Sequence, residues 1–300
     1  MNKQPKLLIT GGSGFTGQHA CEHFLNAGFD VTAVIRKNQF FLNGLKIEGC
    51  DLTNKDEVKK LVTKVKPQYV LHLAGQNHVG QSWLDPIASL ETNSMSTAYL
   101  IESLRQEVPF CKILVAGSAL QFNPTNMSEI THPYSLSKTL QTLIAQSWGV
   151  MYNMHIVIAK PSNLIGPGCS NGVCSIFAQK IVAMENNKAD RTLEVNNLSA
   201  LRDFIDVRDA VSAYETLLLK GVPGEIYDIS SGKERSLEEI INVLKSIAAV
   251  DFEVKTKSNQ RIEPSIVAEP VKLMQLGWQP FFSLDTSLKD ILDFYRRKIE

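Results

Sequence analysis

The feature that most constrains the fold is a glycine-rich turn near the start of the chain. The sequence TGGSGFTG at 10–17 follows an apolar strand pattern directly and leads into a helical pattern. Small residues at this spacing permit a tight turn and let backbone amides approach a pyrophosphate, which the helix N-terminus then stabilises. A glycine-rich turn without a ligand is the alternative, but the flanking strand and helix favour a dinucleotide site. The candidate cofactor-binding residues of this turn are Gly11, Ser13, Gly14, Phe15, Thr16 and Gly17.

Beyond this turn, apolar strand patterns alternate with helical patterns through the first half of the chain. The predicted strands are 6–10, 31–35, 45–50, 69–73, 112–116 and 155–159, and the predicted helices are 15–27, 55–66, 90–107 and 134–151. Strands with nearly all-apolar inner residues are typical of a parallel sheet that helices cover on both faces. We therefore predict an α/β protein with a Rossmann-type doubly wound parallel sheet and a smaller C-terminal α/β substrate lobe.

The pattern changes after Pro161. Loop signals, a helical segment, a long polar stretch and a terminal helix follow, at 166–172, 175–185, 186–201 and 284–299. We expect residues 1–162 to form the dinucleotide-binding domain, to which a later segment of about 202–230 returns. Residues 163–300 are expected to form mainly the substrate-binding lobe.

The charge balance argues against two classes of partner. Lys and Arg number 31, as do Asp and Glu, and both signs are scattered along the sequence. Nucleic-acid binding usually needs a basic face, so no nucleic-acid partner is expected. No stretch approaches the ~18 consecutive apolar residues of a membrane span, and the first apolar run is too short for a signal-peptide core. We expect no membrane partner and a cytoplasmic location.

The cysteines indicate neither disulfides nor a metal. They are odd in number and irregularly spaced: Cys21, Cys50, Cys111, Cys169 and Cys174. The last two are five positions apart, but neither a His nor a second Cys pair stands at zinc-ligand spacing. No metal site is expected.

The end of the second predicted strand bears on the choice of dinucleotide. An acidic residue at this position usually hydrogen-bonds the ribose 2′-hydroxyl of NAD, whereas here the strand runs into Arg36 and Lys37. Cations suit a 2′-phosphate, so NADPH is favoured and NADH is the alternative. The other interpretation is that Arg36 and Lys37 are part of a solvated turn and bind no cofactor. Asp51, after the third strand, is a candidate partner for the adenine amino group or a simple cap.

Tyr134 and Lys138 form a candidate catalytic pair. They are four residues apart in a predicted helix, so both side chains lie on one face. A nearby cation lowers the pKa of a phenol by favouring the phenolate. Ser118 lies at the carboxyl end of strand 112–116, where open α/β sheets place their ligands. A Tyr and a Lys at this spacing are often only a helix surface, but the glycine turn and Ser118 favour a catalytic role for all three residues.

Together these motifs resemble the extended short-chain dehydrogenases/reductases, the NAD-dependent epimerase/dehydratase family. The resemblance covers nearly the whole chain and includes Asp51-Leu52, HLAG at 72–75, Asn93, Gly117-Ser118, YSLSK at 134–138, Pro161-Ser162-Asn163 and RDFIDVRD at 202–209. It implies that Tyr134 is the proton donor or acceptor, that Lys138 binds the nicotinamide ribose and that Ser118 hydrogen-bonds the substrate oxygen.

The resemblance also extends the list of site residues. It implies that Arg202 binds the diphosphate of a sugar nucleotide, which suits the fork geometry of a guanidinium. Further expected cofactor contacts are Leu52, Leu73, Ala74, Gly75 and Pro161, and further expected substrate contacts are His78, Asn163 and Arg261. It finally implies a homodimer built through helices that include the one carrying Tyr134.

The residues after Ser118 bear on the reaction. Dehydratases of this family have an acidic residue one or two positions after the strand-end Ser or Thr, whereas this chain has Ala119 and Leu120. Without a carboxylate the leaving hydroxyl would stay unprotonated, so dehydration is not expected. We expect NAD(P)H-dependent reduction of the 4-keto group of a nucleotide-linked 4-keto-6-deoxyhexose. The alternatives are a nucleotide-sugar 4-epimerase with tightly bound NAD and, in another class, a non-catalytic cofactor-sensing binding protein.

Two readings of the nucleotide base stay open. Stretches 76–82, 197–204 and 230–233 resemble the GDP-4-keto-6-deoxymannose reductases within the family, which favours a GDP-linked substrate. Those reductases have an Arg directly before a Pro-Ser pair, whereas this chain has Glu263 there and Arg261 two positions earlier. A dTDP-4-keto-6-deoxyhexose is therefore the next candidate.

Overall fold

A computed structural model of the protein describes residues 4–36, 41–256 and 268–299. The strands are β1 Lys6–Thr10, β2 Asp30–Ile35, β3 Lys46–Gly49, β4 Tyr69–His72, β5 Lys112–Ala116, β6 Ile156–Pro161, β7 Asn163–Ile165, β8 Thr192–Val195, β9 Leu201–Asp206, β10 Ile226–Ile229, β11 Glu234–Ser236 and β12 Glu253–Thr256. The helices are α1 Phe15–Asn26, α2 Lys55–Val65, α3 Val79–Leu84, α4 Pro86–Leu90, α5 Ser96–Glu107, α6 Pro133–Tyr152, α7 Val173–Glu185, α8 Val207–Lys220, α9 Leu237–Ile247, α10 Val271–Gln275 and α11 Leu284–Ile299. A π-helical turn at Glu91–Met95 joins α4 to α5.

The central sheet has the strand order β10-β6-β5-β4-β1-β2-β3. The pairs from β6 to β3 are parallel, with Leu8 of β1 opposite Thr32 on one side and Val70 on the other. The strand order reverses beside β1, and open α/β sheets bind ligands outside the carboxyl ends of their strands at such a point. The predicted doubly wound parallel sheet is confirmed.

Helices cover both faces of this sheet because its strands offer no polar face. Leu7, Leu8 and Ile9 are consecutive in β1 and are all fully buried. On one side, Val58 and Val62 of α2 join the core cluster that lines the sheet. Helix α2 begins where Asn54 accepts hydrogen bonds from two backbone amides of the first turn, a typical N-cap.

The chain forms two units. The first comprises Met1–Pro161, Val211–Tyr227 and Lys272–Trp278, and the second comprises Ser162–Ala210, Asp228–Val271 and Gln279–Glu300. The chain re-enters the first unit at Val211 rather than near 202, because β9 pairs with β7 in the second unit. No sequence pattern indicates that 272–278 belongs to the first unit, where the Trp278 indole donates a hydrogen bond to Ser212 Oγ at 2.9 Å.

The second unit is also α/β. Its strands form a three-stranded sheet in the order β11-β9-β7 and a parallel pair of β8 with β12. Its core includes the fully buried side chains of Ile181, Ile240 and Leu288 from α7, α9 and α11. Strand β8 lies inside the stretch that sequence analysis described only as polar; Leu193 and Val195 are buried there while Glu194 between them is exposed.

The described ranges were predicted to contain neither a membrane span nor a metal site. None of their helices is long and apolar enough to cross a bilayer. They contain no group of three or more His, Cys, Asp or Glu side chains arranged to bind a metal ion. All five cysteines are free.

Candidate active site

The glycine turn is tightly packed against the start of the loop after β4. Gly11 has a φ of +71°, and a Cβ there would lie 2.9 Å from Ala74 N. A Cβ on Gly17 would collide with Gly11 O and with the backbone of Gly12. The Gly12 amide donates to Val34 O at 3.1 Å, which ties the turn to β2. Glycine is therefore required at 11 and 17 by packing within the protein.

Gly14 differs from these glycines. It is the N-cap of α1, and a Cβ there would meet a single protein atom within 4 Å, Gly11 O at 3.2 Å. No side chain caps α1, and its first turn contains no acidic residue. A helix N-terminus with this composition attracts an anionic group, and a glycine at its cap lets that group approach the backbone. The turn therefore fits the pyrophosphate of a dinucleotide.

The predicted adenosine-end residues lie at the ends of β2 and β3. Arg36 directly follows β2 and is exposed, while Lys37 lies outside the described residues. Asp51 follows β3, and its Oδ1 accepts hydrogen bonds from the Thr53 amide at 3.0 Å and the Thr53 hydroxyl at 2.8 Å. Leu52 beside it is buried. The two hydrogen bonds that Asp51 accepts form a local turn before α2, whose N-cap is Asn54.

The loop after β4 carries the predicted residues Leu73, Ala74 and Gly75. Asn93 holds this loop: its Oδ1 accepts from Gln76 N at 2.7 Å, and its Nδ2 donates to Gln76 O at 3.0 Å. The same Nδ2 donates to Ser137 Oγ of α6 at 2.8 Å. Asn93 lies in the π-helical turn, a local widening that often occurs at functional sites.

Ser118 and Tyr134 meet at the carboxyl end of β5. Both side chains are buried, and burial raises the pKa of Tyr134 while a hydrogen bond from Ser118 lowers it. Ser118 Oγ also accepts from the Leu120 amide at 3.1 Å. His132 caps α6 by accepting from Ser135 N at 2.9 Å, which fixes the first turn of the helix that carries Tyr134.

Lys138 lies one turn further along α6 and is 6% exposed. Its Nζ donates to Ala116 O of β5 at 2.6 Å and to Gln141 Oε1 at 2.5 Å. Burial lowers the pKa of Lys138 to about 7. The structure therefore brings the three predicted catalytic residues together at the end of β5.

Sequence analysis missed two glutamines of this site. Gln121 Nε2 donates to Lys138 O at 2.8 Å and to Thr142 Oγ1, so it fastens the loop after Ser118 to α6. Gln141 binds the Lys138 ammonium itself. The available signal was the spacing of three residues between Lys138 and Gln141, which places both side chains on one helical face.

The predicted substrate-binding residues within the described ranges lie in both units and form different hydrogen bonds within the protein. His78 is exposed, and its Nδ1 accepts from Gln81 N at 3.0 Å as the N-cap of α3. Pro161 ends β6, and its carbonyl accepts from Ala119 N at 3.2 Å. In the second unit, Asn163 donates to Asp203 O at 2.9 Å, and Arg202 Nη1 donates to Leu201 O at 2.7 Å. Arg261 and Glu263 lie outside the described residues.

Asp203, next to Arg202, organises its own loop in the second unit. This buried carboxylate accepts from Ser162 Oγ at 2.5 Å, from Ser231 N at 3.0 Å and from Lys233 N at 3.1 Å. A buried charge of this kind is stable only when donors surround it. Asp203 thereby fixes the loop at 230–233.

Known proteins resemble this chain over most of its length. The family model described as the NAD dependent epimerase/dehydratase family matches residues 7–230. The chain is 28% identical to the GDP-6-deoxy-D-mannose reductase of Pseudomonas aeruginosa over 98% of both chains, and 25% identical to the mouse dTDP-D-glucose 4,6-dehydratase over 97% of this chain and 89% of that one.

The chain is also similar to a solved structure over nearly its whole length. The structure of RMD from Pseudomonas aeruginosa complexed with NADPH superimposes with a TM-score of 0.84 at 27% identity, covering 98% of both chains. The glycine turn and the cluster of Ser118, Tyr134 and Lys138 lie within the residues that the family model matches. The chain belongs to the NAD-dependent epimerase/dehydratase family.

Proposed function

We propose that this protein reduces the 4-keto group of a nucleotide-linked 4-keto-6-deoxyhexose with NADPH. The observation that carries the proposal is the buried Ser118 and Tyr134 pair at the end of β5, followed by Ala119 and Leu120 instead of an acid. Leu120 is 41% exposed, so an apolar side chain occupies the position where the family's dehydratases have a carboxylate. Removal of a hydroxyl as water would lack its proton donor here.

The chain's own residues supply the acid and the orientation. When bound, NADPH supplies the hydride that adds to C4. Ser118 hydrogen-bonds the carbonyl oxygen, and Tyr134 donates its phenolic proton to that oxygen as negative charge develops. Because burial raises the pKa of Tyr134, the phenol holds its proton at neutral pH, as the donor in a reduction must.

Lys138 completes the arrangement. Its ammonium favours the phenolate that Tyr134 becomes after proton donation, and it binds the nicotinamide ribose. Burial keeps it out of bulk water, where its charge would be screened.

NADPH is the favoured cofactor because of the end of β2. Arg36 is exposed there, and neither it nor its neighbours Ile35 and Lys37 supply the carboxylate that would accept from a ribose 2′-hydroxyl. The similar structure of RMD from Pseudomonas aeruginosa is a complex with NADPH. NADH is the alternative cofactor.

The favoured nucleotide is GDP. The GDP-6-deoxy-D-mannose reductase similarity extends over 98% of the chain and supports this choice, and the dTDP-linked substrate of the mouse dehydratase supports the alternative of a dTDP sugar. Arg202 is proposed to bind the diphosphate, with Asn163, His78 and Arg261 as further substrate contacts. The protein is proposed to act in the cytoplasm.

A homodimer is proposed through α4, α6 and the π-helical turn. Partly exposed apolar side chains lie on these elements: Ile87, Met95, Leu140 and Leu143 are 62%, 41%, 36% and 38% exposed. Leu140 and Leu143 are three positions apart and so lie on one face of α6, while Ile87 and Met95 belong to α4 and to the π-helical turn. Burial of such a face against a second copy removes apolar surface from water.

The test is incubation of the purified protein with NADPH and either GDP-4-keto-6-deoxymannose or dTDP-4-keto-6-deoxyglucose, with loss of NADPH absorbance as the readout. Oxidation with at least one sugar, faster with the GDP-linked one, is expected. No oxidation with either sugar would refute the proposal. Interconversion of UDP-glucose and UDP-galactose by a protein that purifies with bound NAD would support the epimerase instead.

A further inference from the structure

Gln141 is a fully buried amide in the middle of α6, and it contacts Lys138 directly. Its Oε1 accepts from Lys138 Nζ at 2.5 Å, and its Nε2 donates to Thr97 Oγ1 of α5 at 2.9 Å. We propose that Gln141 is a positioning residue that holds the Lys138 ammonium for cofactor binding, through a buried chain of hydrogen bonds that reaches back to the glycine turn. The proposal deepens the proposed function, because Lys138 belongs to that site.

The direction of each hydrogen bond in this chain can be assigned. The Thr97 hydroxyl donates its only proton to Asn93 O at 2.7 Å, so its oxygen is an acceptor for Gln141 Nε2 and for His72 Nε2, which lies 2.8 Å away. His72 therefore carries its proton on Nε2. Its Nδ1 accepts from the hydroxyl of Thr10, which lies 2.7 Å away at the entry to the glycine turn.

These assignments fix the orientation of the Gln141 amide. A flipped amide would place its NH₂ group against the Lys138 ammonium and its oxygen against Thr97 Oγ1, whose proton is already donated. Both new contacts would be repulsive inside the core. The carbonyl of Gln141 is thus locked toward Lys138.

The fixed orientation of the Gln141 carbonyl determines how many N–H groups of Lys138 remain for the cofactor. An ammonium has three N–H groups, and two of them go to Ala116 O and Gln141 Oε1. The third remains for the ribose of the dinucleotide. A neutral amine would use both of its N–H groups on these carbonyls and keep only a lone pair for the ribose. Cofactor binding should therefore weaken when Lys138 loses its proton, because the third donor and the positive charge are lost.

The titratable groups that face Lys138 do not compensate its charge. On β4, His72 is neutral because burial and the charge of Lys138 lower its pKa to about 3. On α6, burial raises the pKa of Tyr134. In the described ranges, the hydrogen-bond partners of Lys138 Nζ are the carbonyl oxygens of Ala116 and Gln141. Burial lowers the pKa of Lys138 to about 7. Removal of one carbonyl should lower that pKa further, and replacement by a carboxylate should raise it.

The experiment measures the dissociation constant of NADPH between about pH 6 and pH 9 for wild type, Gln141→Leu and Gln141→Glu, by nicotinamide fluorescence. We expect the pH at which binding weakens to fall by about one unit in Gln141→Leu and to rise by about one unit in Gln141→Glu. The ratio of the dissociation constants of Gln141→Leu and wild type should grow from about twofold at the lower midpoint to about tenfold well above the wild-type midpoint. Gln146→Leu and Gln146→Glu are matched controls, since Gln146 lies on the same helix and donates instead to Gly224 O.

Opposite shifts in the two Gln141 variants are not expected from a merely structural residue. Equal midpoints in all proteins, or shifts in the same direction, would overturn the proposal, as would pH-independent binding by wild type. If thermal unfolding shows that Gln141→Leu does not fold, the proposal is tested by Gln141→Glu alone, in which the pH midpoint of NADPH binding should rise. The assay contains no keto sugar, so an inactive reductase would refute the proposed function without affecting this result.

Discussion

Lys138 Nζ donates a hydrogen bond to Ala116 O at 2.6 Å, which joins helix α6 to the carboxyl end of β5. Ser118 follows two residues after Ala116, and Tyr134 precedes Lys138 by one helical turn. One contact therefore fixes the spacing between the strand that supplies the serine and the helix that supplies the phenol.

Replacing Tyr134 by Phe removes the proposed proton donor. The rate of ketone reduction should fall by roughly 10²- to 10⁴-fold, because a positioned general acid contributes about that much. NADPH binding and thermal stability should change little, since the ring remains in place. Tyr152→Phe is the matched control on the same helix, where the side chain is 47% exposed. Equal turnover by Tyr134→Phe and wild type would remove Tyr134 from the site.

Replacing Arg36 by Ala should discriminate between the two dinucleotides. We expect the dissociation constant of NADPH to rise about 10- to 100-fold, because hydrogen bonds to charged groups contribute about 1.5–3 kcal/mol. NADH lacks the 2′-phosphate and should bind almost unchanged, so it is the internal control. The measurement is fluorescence titration with both cofactors. Equal weakening of both would mean that Arg36 does not bind the phosphate.

Glycines 14 and 17 should respond differently to Ala. Gly17→Ala forces a Cβ into Gly11 O and should destabilise the fold by about 2 kcal/mol or more. Gly14→Ala should fold but bind NADPH more weakly, because the new methyl group stands where the pyrophosphate approaches. Gly49→Ala is the control, since nothing lies within 4 Å of a Cβ there. Urea unfolding and cofactor titration separate the two effects; full NADPH affinity in Gly14→Ala would contradict the assigned phosphate position.

The buried His72 should make stability depend on pH. Its pKa is about 3 in the folded protein and 6.5 in its ordinary state, so between these values the unfolded chain binds more protons. Its contribution is fully present above about pH 6.5 and is lost as pH falls toward 3. As the pH falls through this window, the free energy of unfolding of wild type should therefore decline more steeply than that of His72→Gln. The difference in slope should correspond to the uptake of about one additional proton on unfolding. Parallel curves would contradict a neutral buried His72.

The proposed dimer face should be sensitive to charge. Leu143→Glu should convert the proposed homodimer to a monomer, because burial of an unpaired carboxylate in an apolar interface is costly. Light scattering after size exclusion measures the mass. Leu219→Glu is the control, because Leu219 is exposed on α8, outside that face. A monomeric wild type, or a dimeric Leu143→Glu, would contradict this interface.

The sequence alone predicted the parts of the molecule whose chemistry depends on local spacing. The glycine turn, the strand-end Ser118 and the pairing of Tyr134 with Lys138 each follow from residues close together in the chain. The long helix α6 and the apolar strands of the first unit were predicted for the same reason. Membership in the family is confirmed by the match over residues 7–230.

Other parts depend on which elements meet after folding. The contact of Gln141 with Thr97 joins α6 to α5 across 44 positions, so no local pattern indicates it. The inclusion of 272–278 in the first unit depends on a similarly distant contact, between Trp278 and Ser212. Strand β8 was missed because only two buried apolar residues, Leu193 and Val195, mark it within a polar stretch.

The central claim is that the protein transfers a hydride from NADPH to C4 of a nucleotide-linked keto sugar. The most direct measurement is mass spectrometry and NMR of the product formed with NADPH deuterated on the transferred position of its nicotinamide ring. We expect one deuterium at C4 of the 6-deoxyhexose product with wild type, and no labelled product with Tyr134→Phe above roughly one per cent of that yield. An unreduced sugar, or a rearranged sugar without deuterium, would contradict the claim.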